Sequence, residues 1–335
     1  MIQEARPLIE WPEAVTEYVG FVAQFVATGA VGFRYAAVRD RLRTTRNVGA
    51  TGDGRFYAYA CARAARIGLL GAIVSAILFA NHLPDMAARA HTTTTGLLAS
   101  DHVAGAQTLL TIVGVVGVLV AAARVSWGWP LAAIGILLGP LSGVLSGQWL
   151  RLVNPVHRLV AGLWIGTLFV LVVAGLVPLL RDVTWRDRRG TIASDMVNGF
   201  SPLALTCGGF VVLSGLITAY RHLTPLSSLF TTPYGWALLV KLALVAMVFV
   251  LGAWNWRRQR PALGGEGAAI AIRRSSAKEL AVAALVLAVT AILVSLPSPR
   301  AMKGGGPPGG GGPPGGGGPP GAGAPAPAAP TTPPT

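Results

Sequence analysis

The sequence has few charged residues. Asp, Glu, Lys and Arg together make up 12% of its 335 residues, whereas hydrophobic residues make up 53%. Soluble globular domains carry about 25% charged residues. The shortage of charge, together with apolar runs near the 20 residues that cross a bilayer, excludes an ordinary water-soluble domain and predicts a membrane protein.

Cysteine is also scarce, and the common signatures of soluble enzymes are absent. Cys61 and Cys207 lie in separate apolar runs, so the sequence predicts neither a disulfide framework nor a CxxC pair. It contains no GxxxxGK[ST], HExxH or GxSxG motif. No carboxylate lies in the middle of an apolar run, which disfavours a proton relay built on buried Asp or Glu. We therefore expect a protein that is not an enzyme.

Eight apolar runs predict an all-α fold, a polytopic membrane bundle of eight transmembrane helices. The first 150 residues then form an N-terminal four-helix region, and residues 151–300 form a second four-helix domain. Residues 301–335, rich in Gly and Pro, form a disordered tail because they cannot bury enough apolar area to become ordered. The predicted spans are Glu13–Val38, Ala62–His82, Ala104–Ala123, Trp127–Leu150, Val156–Leu180, Phe200–His222, Tyr234–Trp256 and Ala277–Leu296.

The net charge of +14 does not indicate nucleic-acid binding here, because the basic residues lie in short loops between apolar runs. Most of the 27 Lys and Arg follow the odd-numbered spans. Cytoplasmic loops of membrane proteins carry such an excess of Lys and Arg. The pattern predicts that both termini, and the tail, lie outside. Membrane lipid is the expected environment, with no nucleic-acid partner.

All five histidines lie at or beyond the outer ends of the predicted spans. Neutral imidazole binds copper, zinc, iron and nickel, and a thioether adds preference for Cu(I). The pattern favours an outward-facing metal site, although each residue could also be an ordinary polar loop residue. The candidate ligands are His157, His102, His82, His222, His91 and Met86.

Deeper in the predicted bundle, two sulfur atoms and one ammonium group stand out. Cys207 and Met247 lie on consecutive antiparallel spans and could together hold Cu(I), or each could simply pack as a hydrophobic residue. Lys241 lies about two turns inside the seventh span. It either extends its ammonium group to the lipid headgroups or acts as an electrostatic gate that opposes cations.

From about Asn154 to Pro297 the chain resembles the copper resistance protein D (CopD) family. His157, Trp164 and Gly166 match its His-x6-Trp-x-Gly pattern, and Tyr234, Gly235 and Lys241 match its Tyr-Gly-x2-Leu-x2-Lys pattern. The remaining matches are Phe200, Ser201, Gly215, Thr232, Asn255, Arg274 and Glu279.

The resemblance implies a multi-pass protein of the bacterial inner membrane that moves copper, as Cu(I) or Cu(II). Members of the family are usually paired with, or fused to, a CopC-like copper carrier outside the membrane. The leading hypothesis is thus copper import through the outer histidine cluster. The alternatives are a b-type haem electron-transfer protein, since paired histidines can ligate haem, and a non-transporting membrane assembly subunit.

Overall fold

A computed structural model describes residues 11–38, 52–222, 227–259 and 266–296, and these residues form helices and connecting turns without a strand. Among the described residues, eight helices are long and apolar enough to cross a membrane, which confirms the predicted all-α bundle and its count of spans. The predicted tail at 301–335 and both chain ends lie outside the described residues.

Ten helices are labelled here in chain order, and α3 and α8 are short connectors. Helix α6 contains two π-helical turns, and the end of α5, from Gly139, is a 3-10 helix. A further 3-10 helix, Val183–Arg188, joins α6 to α7. The helices are α1 Trp11–Ala37, α2 Gly52–Arg89, α3 Thr94–Ser100, α4 His102–Ala122, α5 Gly128–Ser146, α6 Val153–Arg181, α7 Arg189–His222, α8 Ser228–Thr231, α9 Pro233–Gln259 and α10 Glu266–Ser295.

Helices α2 and α7 are longer than the spans that the sequence predicts. The second span is predicted at Ala62–His82, whereas α2 begins at Gly52 and ends at Arg89. Hydropathy detects the residues that cross hydrocarbon, and a helix continues beyond them where polar side chains reach water. Arg63 and Arg66, near the start of the apolar segment, are both exposed.

Short polar side chains begin the helices at one end of the bundle. The Asp101 carboxylate accepts hydrogen bonds from the backbone N–H groups of Val103 and Ala104, at 2.8 and 3.3 Å, and so caps α4. The hydroxyl of Thr93 caps α3 in the same way. Such caps satisfy N–H groups that have no partner within the helix, and they fix the sharp turn between α2 and α4.

Helices α1 and α6 form the centre of the bundle through contact between small residues. A Cβ atom added to Gly29 would overlap the backbone of Gly166, and one added to Gly166 would overlap the carbonyl of Phe25. Helices in a bilayer associate by close packing because lipid is as apolar as their side chains. The two backbones therefore touch where glycine leaves room.

The main hydrophobic core draws residues from both predicted four-helix regions. Phe33 of α1, Leu171 of α6 and Ile192 of α7 are all fully or almost fully buried within it. Beside it, the rings of Phe56 and Trp185 meet edge to face with centroids 5.7 Å apart. The boundary near residue 150 stays a prediction, and the two regions share one core.

Successive long helices run in opposite directions, so the bundle has two distinct ends. Near one end, Arg188 at the start of α7 pairs with Asp53 at the start of α2. Near the other, the hydroxyl of Thr218 donates to the Asn154 side-chain oxygen at 3.1 Å. We call these the arginine end and the histidine end, because the backbones of all five histidines lie at or near the latter.

Candidate functional site

His157 lies one turn into α6, and its ring is fixed by α7. Its Nδ1 atom is 2.8 Å from the Ser214 hydroxyl oxygen. That hydroxyl lies 2.5 Å from the Phe210 carbonyl oxygen, to which it donates its single hydrogen. The Ser214 oxygen therefore accepts from Nδ1–H, and the lone pair of His157 is left on Nε2. This is the tautomer that presents Nε2 to a metal.

The His157 ring packs on α7 at Gly215. A Cβ atom added to Gly215 would lie 3.4 Å from His157 Cε1, an ordinary van der Waals contact. Ser214 itself is 8% exposed. The imidazole is thus held by one hydrogen bond and by close packing on the bare backbone of the next residue.

Lys241, which lies two turns along α9, interacts electrostatically with His157. Its side chain is partly buried. Two charges interact more strongly inside a protein than in water because the effective dielectric constant there is lower. A Lys241 ammonium group would oppose a cation at His157, so the contact region of α6, α7 and α9 combines a candidate metal ligand with a basic side chain.

The other candidate metal ligands lie at the histidine end without forming a metal-binding group with His157. His82, His91 and His102 are exposed, and Met86 is partly buried one turn after His82. The side chain of His222 lies outside the described residues. Within the part of the chain that is described, no three or more His, Cys, Asp or Glu side chains form a group that could hold a metal ion. The metal site predicted for these residues stays a prediction.

The two sulfur atoms of the predicted inner path differ in burial. Cys207 is 5% exposed and Met247 is 49% exposed. The thiol on α7 is thus buried, whereas the thioether on α9 is about half exposed. The pairing predicted for these residues stays a prediction.

The remaining motif residues mostly make packing contacts. The Trp164 ring meets the Phe249 ring of α9 with centroids 4.9 Å apart. Tyr234 is 9% exposed, and Gly235 packs against the backbone of α8. Asn255 lies in α9, but its side chain is outside the described part of the structure.

Sequence reasoning missed Ser214 and Phe249 as partners of His157 and Trp164. Serine is common in apolar helices, where its hydroxyl bonds the carbonyl four residues earlier, so Ser214 carries no signal by itself. The adjoining Gly215 belongs to the sequence pattern that resembles the family. This glycine was the available sign that α7 lies close to another group there.

The fold defines the chain as an all-α protein of the multi-pass membrane class. The model of the family described as copper resistance protein D matches residues 194–293. A curated relative, the copper transport protein CutJ of Bacillus subtilis (strain 168), is 36% identical over 151 residues, which are 44% of this chain and 25% of the relative. The chain thus spans about a quarter of that relative's length. No solved structure matches.

The resemblance to the copper resistance protein D family is therefore confirmed for the segment from Ser194 to Leu293. This segment contains Ser214 and Lys241, which surround His157, although His157 itself precedes it. The matched segment and the residues just before it thus meet in space at one site.

Proposed function

We propose that the chain handles copper and imports it across the bacterial inner membrane, with His157 as the first ligand within the bundle. One observation carries the proposal. The segment similar to copper resistance protein D supplies Ser214, whose hydroxyl fixes the His157 ring. Imidazole Nε2 is a good ligand for copper. The histidine end then faces outward, in accord with the distribution of Lys and Arg.

The arrangement around His157 suits transfer of copper better than storage. A single oriented imidazole binds a metal ion weakly compared with a complete ligand set, and the nearby Lys241 ammonium group weakens it further. A cation that stops briefly can leave again, which transport requires. Copper is here the substrate, and a CopC-like carrier outside the membrane is the partner that would deliver it.

The direct test measures copper uptake into proteoliposomes that contain the full chain. We expect His157→Ala to lower the uptake rate by about 10-fold or more, since the loss of supporting contacts alone costs 10- to 100-fold at metal sites. Gln148→Ala is the matched control. Gln148 is exposed near the same end of the bundle, makes no capping hydrogen bond and is not a candidate ligand, so uptake by this variant should equal that of the wild type.

Ser214 is a positioning residue, and its variant separates binding from folding. We expect Ser214→Ala to raise the copper concentration for half-maximal uptake about 10-fold, because the ring loses its fixed tautomer. The maximal rate should change less. Restoration of the wild-type value by Ser214→Thr, which keeps the hydroxyl, would support the hydrogen bond as the cause.

Three outcomes would contradict the proposal. Uptake no faster than in empty vesicles would favour the assembly subunit, and a Soret absorption band in the purified protein would favour the haem protein. Uptake that is equal in His157→Ala and the wild type would remove His157 from the pathway.

Lys241→Met should bind copper more tightly, and weaker binding would contradict the gating role of the ammonium group.

A further inference from the structure

A second site lies in the N-terminal half of the bundle. A cavity of about 530 Å³ opens between α1, α2, α4, α5 and the first turns of α6. We call it the N-half cavity. On α1 its lining runs from Thr16 to Ala27 and on α2 from His82 back to Ala72. At 1.5 Å per residue, these stretches are about 16 Å long, so the cavity reaches roughly halfway through a bilayer core of about 30 Å.

The N-half cavity is closed at its deep end. One turn beyond Ala27 on α1, Val31 packs with Val118 of α4 and Ala132 of α5, and these three residues are 2%, 0% and 0% exposed. A cavity that ends on buried apolar side chains is suited to hold a ligand, whereas a pore would continue to the other end.

The N-half cavity has a mostly apolar lining that carries a few polar side chains. Glu17 and His82 lie near the histidine end, and Gln24 lies seven residues further along α1 than Glu17, about 10 Å deeper. Gln107 faces the same space from α4. Polar groups this deep in a membrane protein are costly and usually functional.

Two opposite charges face the N-half cavity. Glu17 of α1 and Arg158 of α6 both line it and interact electrostatically, and the described structure shows no ion pair within 4 Å between them. The Arg158 guanidinium carbon lies 4.5 Å from the centre of the Phe21 ring. Stacking on the ring covers one face of the guanidinium group and leaves its N–H edge for a carboxylate, which it can bind with two hydrogen bonds.

We propose that the N-half cavity binds a small zwitterion of the amino-acid class. The ligand's carboxylate pairs with Arg158, its ammonium group pairs with Glu17, and its remaining polar atoms reach the deeper amides of Gln24 and Gln107. A bare cation would be repelled by Arg158, and a simple anion would be repelled by Glu17. A dipolar ligand satisfies both charges at once. This inference does not depend on copper transport.

The test measures binding of defined probes to the purified full chain in lipid nanodiscs by calorimetry. The probes are L-glutamine, which carries both charges and a side-chain amide, and acetate and ethylammonium, which carry one charge each. We expect L-glutamine to bind and to raise the melting temperature, and both half-ligands to bind at least about 10-fold more weakly. Tight binding of acetate alone would overturn the proposal in favour of an anion site.

Variants of the two charges test the assigned contacts. Arg158→Gln should weaken L-glutamine binding about 10-fold, since it removes the charge-assisted, bidentate contact with the ligand's carboxylate. Arg158→Lys, which keeps the charge but loses the bidentate edge, should weaken it less. Arg181→Gln changes an exposed arginine at the far end of the same helix and should bind like the wild type.

Glu17→Gln completes the set. It should weaken binding of L-glutamine about 10-fold or more while leaving acetate unaffected or better bound, because the repelling carboxylate is gone. No binding of L-glutamine at millimolar concentration to folded wild-type protein would overturn the proposal, as would unchanged binding in Arg158→Gln. Neither result involves copper, so the proposed transport function would stand or fall separately.

Discussion

The central helices α1 and α6 differ sharply from the peripheral helices α9 and α10. In their most apolar stretches, 50% and 56% of the residues of α1 and α6 are buried inside the protein. The corresponding values for α9 and α10 are 11% and 17%. All four helices are apolar enough to cross a membrane, so hydropathy does not distinguish them. What distinguishes them is the size of the side chains on the faces that meet.

Small residues gather where α1 meets α6, and large ones project from α9 and α10. Gly29 and Gly166 let the central backbones touch, whereas Val250 of α9 and Leu285 of α10 are 64% and 55% exposed. In a bilayer such exposed apolar side chains face lipid at no cost, so a helix stays peripheral unless it offers a close-packing face. His157 lies on a central helix, and Ser214 and Lys241 lie on the helices packed around it. The candidate site therefore lies between a central helix and the helices that pack around it.

The largest expected effect follows from adding one methyl group to the central contact. In Gly29→Ala the new Cβ would overlap the backbone of Gly166, which cannot rotate away. Overpacking of a well-packed interior costs about 1–3 kcal/mol, and a clash with backbone should reach the upper end of that range or exceed it. The measurement is the yield of monodisperse protein and its melting temperature in detergent.

Gly209→Ala is the control for the same chemical change. No atom lies within 4 Å of the position of the new Cβ on the outer face of α7. Alanine is the better helix former by up to about 1 kcal/mol, so this variant should be as stable as the wild type or slightly more stable. Equal loss of stability in both variants would show that the close approach of α1 and α6 is not what holds the centre together.

A smaller effect is expected where the central helix α6 and the peripheral helix α9 are in contact through aromatic rings. Trp164 of α6 contacts Phe249 of α9, and Trp164→Ala should lower the free energy of unfolding by about 2 kcal/mol, less than for a fully buried tryptophan. Trp236→Ala removes a ring that is 59% exposed on the same helix as Phe249 and should cost much less. Thermal unfolding of the variants, with Phe249→Ala and the double variant, gives the coupling of the two rings.

The architecture of this chain was predictable because the bilayer imposes a simple requirement. Every span must be an apolar helix of about 20 residues, and this requirement gave all eight spans and the common end of the histidines. The ends of α2 and α7 were not predictable from hydropathy, because these helices continue through polar residues into water. Which helices lie at the centre depends on contacts such as Gly29 with Gly166, and one sequence does not show which glycines meet.

The candidate site was predictable only in part. Among the candidate ligands, the ring of His157 is held by a hydrogen bond with Ser214 of the neighbouring helix α7. The side chains of His82, His91 and His102 are exposed. Their common end follows from the alternation of the spans, but convergence of side chains depends on helix rotation about each axis. The cavity between Glu17 and Arg158 was missed for the same reason, since these residues are far apart in sequence and charged residues near span ends attract little notice.

The smallest expected effect concerns the loop that joins the central α6 to the more peripheral α7. The Asp182 carboxylate caps the 3-10 helix Val183–Arg188 by accepting a hydrogen bond from the Thr184 backbone N–H at 2.9 Å. Hydrogen bonds from the Thr184 side chain and backbone hold the pKa of Asp182 below its usual value. A depressed carboxylate pKa stabilises the folded state at pH values above the unfolded pKa of about 3.9, and this stabilisation disappears as the pH falls through the folded pKa.

Asp182→Asn isolates this charge, because asparagine can still cap the turn. The melting temperature of the variant should lie slightly below that of the wild type at pH 7. The difference should shrink as the pH falls below about 3.9 and vanish once the pH is below the folded pKa of Asp182. Asp187→Asn, at an exposed position of the same short helix, should show no such convergence. If the melting-temperature difference between Asp182→Asn and the wild type persisted unchanged in acid, the charge of Asp182 would not contribute to the stability of this loop. The contrast between the central and the peripheral helices would then rest entirely on helix packing.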